Sequence, residues 1–89
     1  MYQAIFFRGV TQNQLEAIPP HEQTVVQSKI ASLIWNAEPA ESAPIAGYDD
    51  AHRLRLGRWR VVYEVNRSMG TVLIHRILPR TDTTYDDLE

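Results

Sequence analysis

The sequence predicts an α+β fold: an antiparallel sheet with an N-terminal helical hairpin packed on one face, in the order β-α-α-β-β-β. Three observations predict it. Val26, Ile30, Leu33 and Ile34 recur at helical spacing within HEQTVVQSKIASLIW. From Arg53 the period changes to strict alternation, R-L-R-L. Two further apolar runs follow, divided by short segments that contain Gly57 and Gly70.

Residues 2–7 (YQAIFF) are aromatic and β-branched, which predicts a first strand. Thr11 is expected to cap a short helix that continues through QNQLEAI. The pair Pro19-Pro20 stops it and opens the second helix, because proline suits a first helical turn. Residues 36–51 (NAEPAESAPIAGYDDA) read as a long loop holding Pro39, Pro44 and Gly47, and loops of this length in small domains are often functional.

Residues 53–56 form the next strand, and Gly57-Arg58 suits a tight turn. Residues 59–65 (WRVVYEV) form another strand, and residues 66–70 (NRSMG) another turn. Residues 71–78 (TVLIHRIL) are apolar on both faces, which predicts a central strand that Pro79 ends. The tail RTDTTYDDLE is polar and expected to be loosely structured.

Eighty-nine residues suit one domain, expected to span residues 1–89. The chain has no cysteine, so disulfide scaffolds, zinc-thiolate sites and cysteine nucleophiles are excluded. Its three histidines, His21, His52 and His75, lack metal-ligand spacing, so neither metal nor other cofactor is expected. No apolar run is long enough to cross a bilayer, and residues 1–10 lack the charged start of a signal peptide. The expected location is the cytoplasm.

A net charge of −2 conceals three blocks. Residues 1–51 set Arg8 and Lys29 against six acids. Residues 52–80 set Arg53, Arg55, Arg58, Arg60, Arg67, Arg76 and Arg80 against Glu64 alone. Residues 81–89 carry four acids and no base. A basic middle between acidic flanks points to a local anion site, the alternative being a solvated sheet face. Guanidinium stays charged and offers paired donors that match phosphate oxygens.

Alternation assigns the faces. Leu54, Leu56, Trp59, Val61, Tyr63 and Val65 should meet the helices. Arg53, Arg55, Arg60, Val62 and Glu64 should then emerge on the uncovered face, with Arg80 entering from the end of the last strand. Neighbouring strands lie about 4.8 Å apart, so these groups can converge on one or two phosphates. Trp35, Trp59 and Tyr63 are expected in the core. His75 reads as a satisfied core histidine, and His21 and His52 as surface residues. Glu64 is either an ion-pair partner of Arg60 or Arg55, or a base.

The stretch HRLRLGRWRVVYEV, residues 52–65, resembles the signature hairpin of the RelE/ParE toxin superfamily. Members show R-L-R-L or K-I-K-L, a short turn, an aromatic residue and R-V-V-Y, then a strand ending in a basic residue and later a tyrosine. Arg80 and Tyr85 match that ending, and the element order is the family's. The specific part of the resemblance is residues 51–85, with the RelE-like branch favoured.

The resemblance implies a toxin of a type II toxin–antitoxin pair that enters the ribosome and cuts messenger RNA. The 2′-hydroxyl attacks the adjacent phosphate, and translation stops. By matching position, Arg60 would stabilise the phosphate and Arg80 would sit near the leaving group. Tyr85 would stack on a base or orient the scissile group. Arg53 and Arg55 fall where RelE-like members often carry lysines, and Arg58 joins them as an RNA-binding residue. Arginine is a poor general base, which leaves Glu64 or Glu41 for that role. Two other functions remain open. One is a ParE-like inhibitor of DNA gyrase without catalysis, which the short hairpin disfavours. The other is a non-catalytic member that only binds its antitoxin, which the acidic balance favours. All three share a cognate antitoxin as partner, and oligomerisation mainly through it.

Overall fold

The computed structural model describes residues 1–80. Tyr85 lies outside the described residues. The elements are β1 (Ala4–Phe7), α1 (Gly9–Glu16), α2 (Pro20–Ser32), β2 (Ser42–Pro44), β3 (Ala51–Leu56), β4 (Trp59–Asn66) and β5 (Thr71–Pro79). The five strands form one sheet in the order β1-β5-β4-β3-β2. The two helices pack on one of its faces, so the α+β architecture agrees with the sequence. No helix among the described residues is long and apolar enough to cross a membrane.

Two features go beyond the sequence pattern. The sheet is mixed, because β1 runs parallel to β5 while the other three pairs are antiparallel. The long loop also contributes the edge strand β2, paired to β3 with Ala43 opposite Arg53. β5, expected to be central, has a strand on each side, which accounts for its two-sided apolar run, but the middle position belongs to β4.

The core lies between sheet and hairpin. Leu15, Val26, Ile30 and Leu33 from the helical layer meet Leu54, Val61, Tyr63, Val65, Val72 and Ile74 from the sheet. Tyr63 is fully buried, and its hydroxyl donates to the Ala37 carbonyl at 2.6 Å. Burial pushes the phenol above its ordinary range, so it stays a neutral donor.

Four expectations are corrected. Thr11 does not cap α1. The residue preceding the helix is Arg8, with extended backbone, and Thr11 is buried in the first turn facing β5. Trp35 is 73% exposed rather than core, because α2 ends at Ser32 and the chain turns there. His52 is buried rather than surface. β3 starts at Ala51, so alternation puts His52 on the helix face with Leu54. Its ring stacks on Tyr63 at 5.3 Å, with one nitrogen at the Asp50 carbonyl and the other at Glu38. His75 is not in the core: it faces the uncovered side, for the reason given next.

Candidate functional site

The uncovered face is built from three rows that run across the strands. Arg55 lies opposite Arg60, which lies opposite Leu78. Arg53 lies opposite Val62, which lies opposite Arg76. Ala51 lies opposite Glu64, which lies opposite Leu73. Alternation therefore assigned Arg53, Arg55, Arg60 and Glu64 to one face correctly, and the register makes Arg55 and Arg60 direct cross-strand neighbours. Facing guanidinium groups repel each other, an arrangement suited to an anion held between them.

These arginines do not all project outward. Arg60 is only 4% exposed, and Arg53 is buried beside it. Nη1 of Arg60 donates to the carbonyls of Gly57 at 2.7 Å and Trp59 at 2.9 Å. The β3–β4 turn thus orients this guanidinium before any ligand arrives. Arg55 is exposed. Arg80 is exposed too, and its backbone N–H donates to the Arg58 carbonyl, which carries the β4–β5 ladder one residue past Pro79.

Arg58 departs from the group. Its Nε and Nη2 each donate to the Glu22 carboxylate at 2.8 Å, and its guanidinium lies 4.9 Å from the Trp59 ring centre. The Trp59 indole N–H donates to the same carboxylate at 2.7 Å. The Arg58 guanidinium, seconded by the indole, holds the Glu22 carboxyl down at about 2. This cluster fastens the β3–β4 turn to the first turn of α2. Glu41 is likewise engaged elsewhere, paired with Lys29 of α2 at 2.8 Å.

Oε1 of Glu64 lies 3.1 Å from Nε2 of His75. That contact arises from a break in register. Val62 faces Arg76 while the next residue, Tyr63, faces Ile74, so β5 carries one extra residue, His75, at this point. A bulge of this kind re-aims a side chain. Here it turns His75 and Arg76 toward the same face. The sequence holds a trace of it: His-Arg interrupts an otherwise apolar strand and breaks the alternation.

His75 and Arg76 help to line an open cleft of about 490 Å³ between the sheet and residues 45–51. Glu64, Arg8 and the exposed Tyr48 line it as well. Ile45 and Val62 pack together within it as a small apolar cluster. Sequence reasoning missed Arg8, Tyr48 and Arg76, since only the folded loop and the bulge bring them to Glu64.

No family model matches the sequence, and no curated protein matches it. Solved structures do. RelE in the archaeal RelE–RelB complex from Pyrococcus horikoshii OT3 is 23% identical, with a TM-score of 0.81 over 92% of this chain and 99% of that one. The toxin–antitoxin complex RelBE2 from Mycobacterium tuberculosis gives 21% identity and a TM-score of 0.73, over 90% and 100%. The isolated E. coli RelE toxin gives 13% identity and 0.78, over 98% and 95%. The chain therefore has the fold of RelE toxins along nearly its whole length.

Proposed function

We propose that this chain is the toxin of a type II toxin–antitoxin pair and a ribosome-dependent endoribonuclease that cuts messenger RNA. The observation that carries the reading is the Arg55–Arg60 pair on the uncovered face of a RelE-type sheet, with Arg53 one row away and Arg80 held at its end. Cleavage proceeds by attack of a 2′-oxygen on the adjacent phosphorus and release of a 5′-oxygen. Negative charge grows on the phosphoryl oxygens in the transition state, and prealigned cations are worth most there. Arg60, oriented by two turn carbonyls, stabilises that charge. Arg53 and Arg55 hold the RNA backbone, and Arg80 approaches the leaving group. Arg58 supports the turn instead of binding RNA directly. The solved relatives include RelE–RelB complexes, which supports an antitoxin as this chain's partner.

The test is induced expression in a bacterial host, with primer extension on translated messages, for wild type and Arg60→Ala. Cuts within codons that require translation and vanish in the variant are expected. Growth arrest with intact messages would favour gyrase as the target. Absence of arrest would favour a protein that only binds its antitoxin.

A further inference from the structure

We infer that His75 is the general base of the cleavage, held by Glu64, and that the cleft around it binds the nucleotide whose 2′-hydroxyl attacks. The inference rests on the ribonuclease reading above and names the group that reading leaves open. Four observations carry it. First, the imidazole is part-exposed in an open cleft rather than packed in the core, so a ligand can reach it. Second, one ring nitrogen faces Glu64 at 3.1 Å. A carboxylate so placed fixes ring orientation and tautomer and leaves the other nitrogen to exchange a proton. Third, Arg76 sits beside the imidazole, in the row between it and Arg60. Successive same-face positions are about 7 Å apart along a strand, so Arg76 reaches a phosphate on Arg60 from the base's side. Fourth, Tyr48 is 70% exposed at the cleft wall, where a base can stack on it.

The charged groups that line the cleft with the imidazole are Glu64 on β4, Arg76 on β5, Arg8 before α1 and Asp49 in the loop. Two of them, Arg8 and Arg76, are cations that suit an RNA backbone, against the single further anion Asp49.

In the step, His75 takes the 2′-hydroxyl proton as the O2′–P bond forms. The P–O5′ bond breaks, and its electron pair leaves on O5′, which takes a proton from water. The imidazolium then gives its proton to the hydroxide so formed. The products are a 2′,3′-cyclic phosphate and a 5′-hydroxyl. Glu64 is a positioning residue, since it acts through His75.

The experiment measures cleavage on purified ribosomes programmed with a short message, alongside circular dichroism to check folding. His75→Ala is expected to lower kcat about 100-fold or more, the usual contribution of a positioned acid–base group, with KM little changed. Added imidazole, which the open cleft admits, should restore part of the His75→Ala rate, and a merely structural histidine would not respond. Glu64→Gln should lower kcat less than His75→Ala and leave KM unchanged. Tyr48→Ala should raise KM roughly tenfold, as loss of one stacked base would. A folded His75→Ala that cleaves at the wild-type rate, or one that slows without imidazole rescue, overturns the assignment and leaves the ribonuclease reading standing. A wild type that makes no cuts overturns both.

Discussion

Thr11 on α1 donates its hydroxyl hydrogen to the backbone carbonyl of His75 on β5, 2.8 Å away, with the Ile74 carbonyl at 3.2 Å. β1 pairs β5 only as far as Ile74, so among the described residues that edge of β5 has no strand beside it further along. α1 supplies the missing partners. Besides Thr11, Gln14 accepts the Ile77 N–H at 2.7 Å. The helix therefore satisfies the backbone where the bulge disturbs the ladder, and so helps to hold His75 and Arg76 on the uncovered face.

Replacing Thr11 by Val keeps the shape and removes the hydroxyl. The part-buried carbonyl at His75 and the buried one at Ile74 lose this donor, which costs about 1 kcal/mol or more. Urea unfolding should show that loss with an unchanged slope, and cleavage should fall as the bulge loosens. An unchanged midpoint would mean that the bulge holds without α1.

The Glu22 cluster predicts a pH dependence. Its carboxyl is depressed from 4.5 to about 2 in the folded chain, chiefly by the Arg58 guanidinium and then by the Trp59 indole. A depressed carboxyl stabilises the fold fully above its unfolded pKa, and the contribution is lost as pH falls through the folded value. The stability gap between wild type and Glu22→Gln should thus be constant above pH 5 and close between about 4.5 and 2. A gap that persists at pH 2 would assign the cluster's effect to packing.

Arg60→Lys is expected to lose nearly as much activity as Arg60→Ala, on the order of 100-fold or more. Lysine keeps one charge, but a single ammonium cannot span two turn carbonyls and a phosphate as a planar fork does. Initial cleavage rates on programmed ribosomes decide this. Substantial activity in the lysine variant would reduce Arg60 to a simple charge.

Gly57 has φ of +61°, and a Cβ there would meet nothing within 4 Å. Gly57→Ala therefore isolates backbone conformation from crowding and should cost roughly 1 kcal/mol. Since the Gly57 carbonyl orients Arg60, activity should fall more steeply than stability. Parallel thermal melts and cleavage assays check the difference.

Much of this protein is local information and was legible in the chain. The R-L-R-L alternation placed Leu54 in the core and Arg53 and Arg55 on the other face, and the later strand did the same for Tyr63 and Arg60. Helical spacing found Val26 and Ile30, and Pro20 marked the start of α2. These follow from periods of 2 and 3.6, which depend only on neighbours in sequence. His52 fell within reach of the same rule and was missed because the strand begins at Ala51, two residues before Arg53.

Register and partner choice are not local. The parallel pairing of β1 depends on where the hairpin returns the chain, and β2 forms because β3 offers it an edge. Arg58 was captured by Glu22, 36 positions away, because the turn and the first turn of α2 meet in space. Most consequential is the single extra residue in β5. A bulge shifts every later side chain relative to its neighbours, and its position is decided by how α1 and β4 satisfy the backbone on either side. Sequence determined that an arginine face exists and that Glu64 lies on it; the tertiary structure decided that a histidine meets that carboxylate there, because only the register shift in β5 turns His75 toward it.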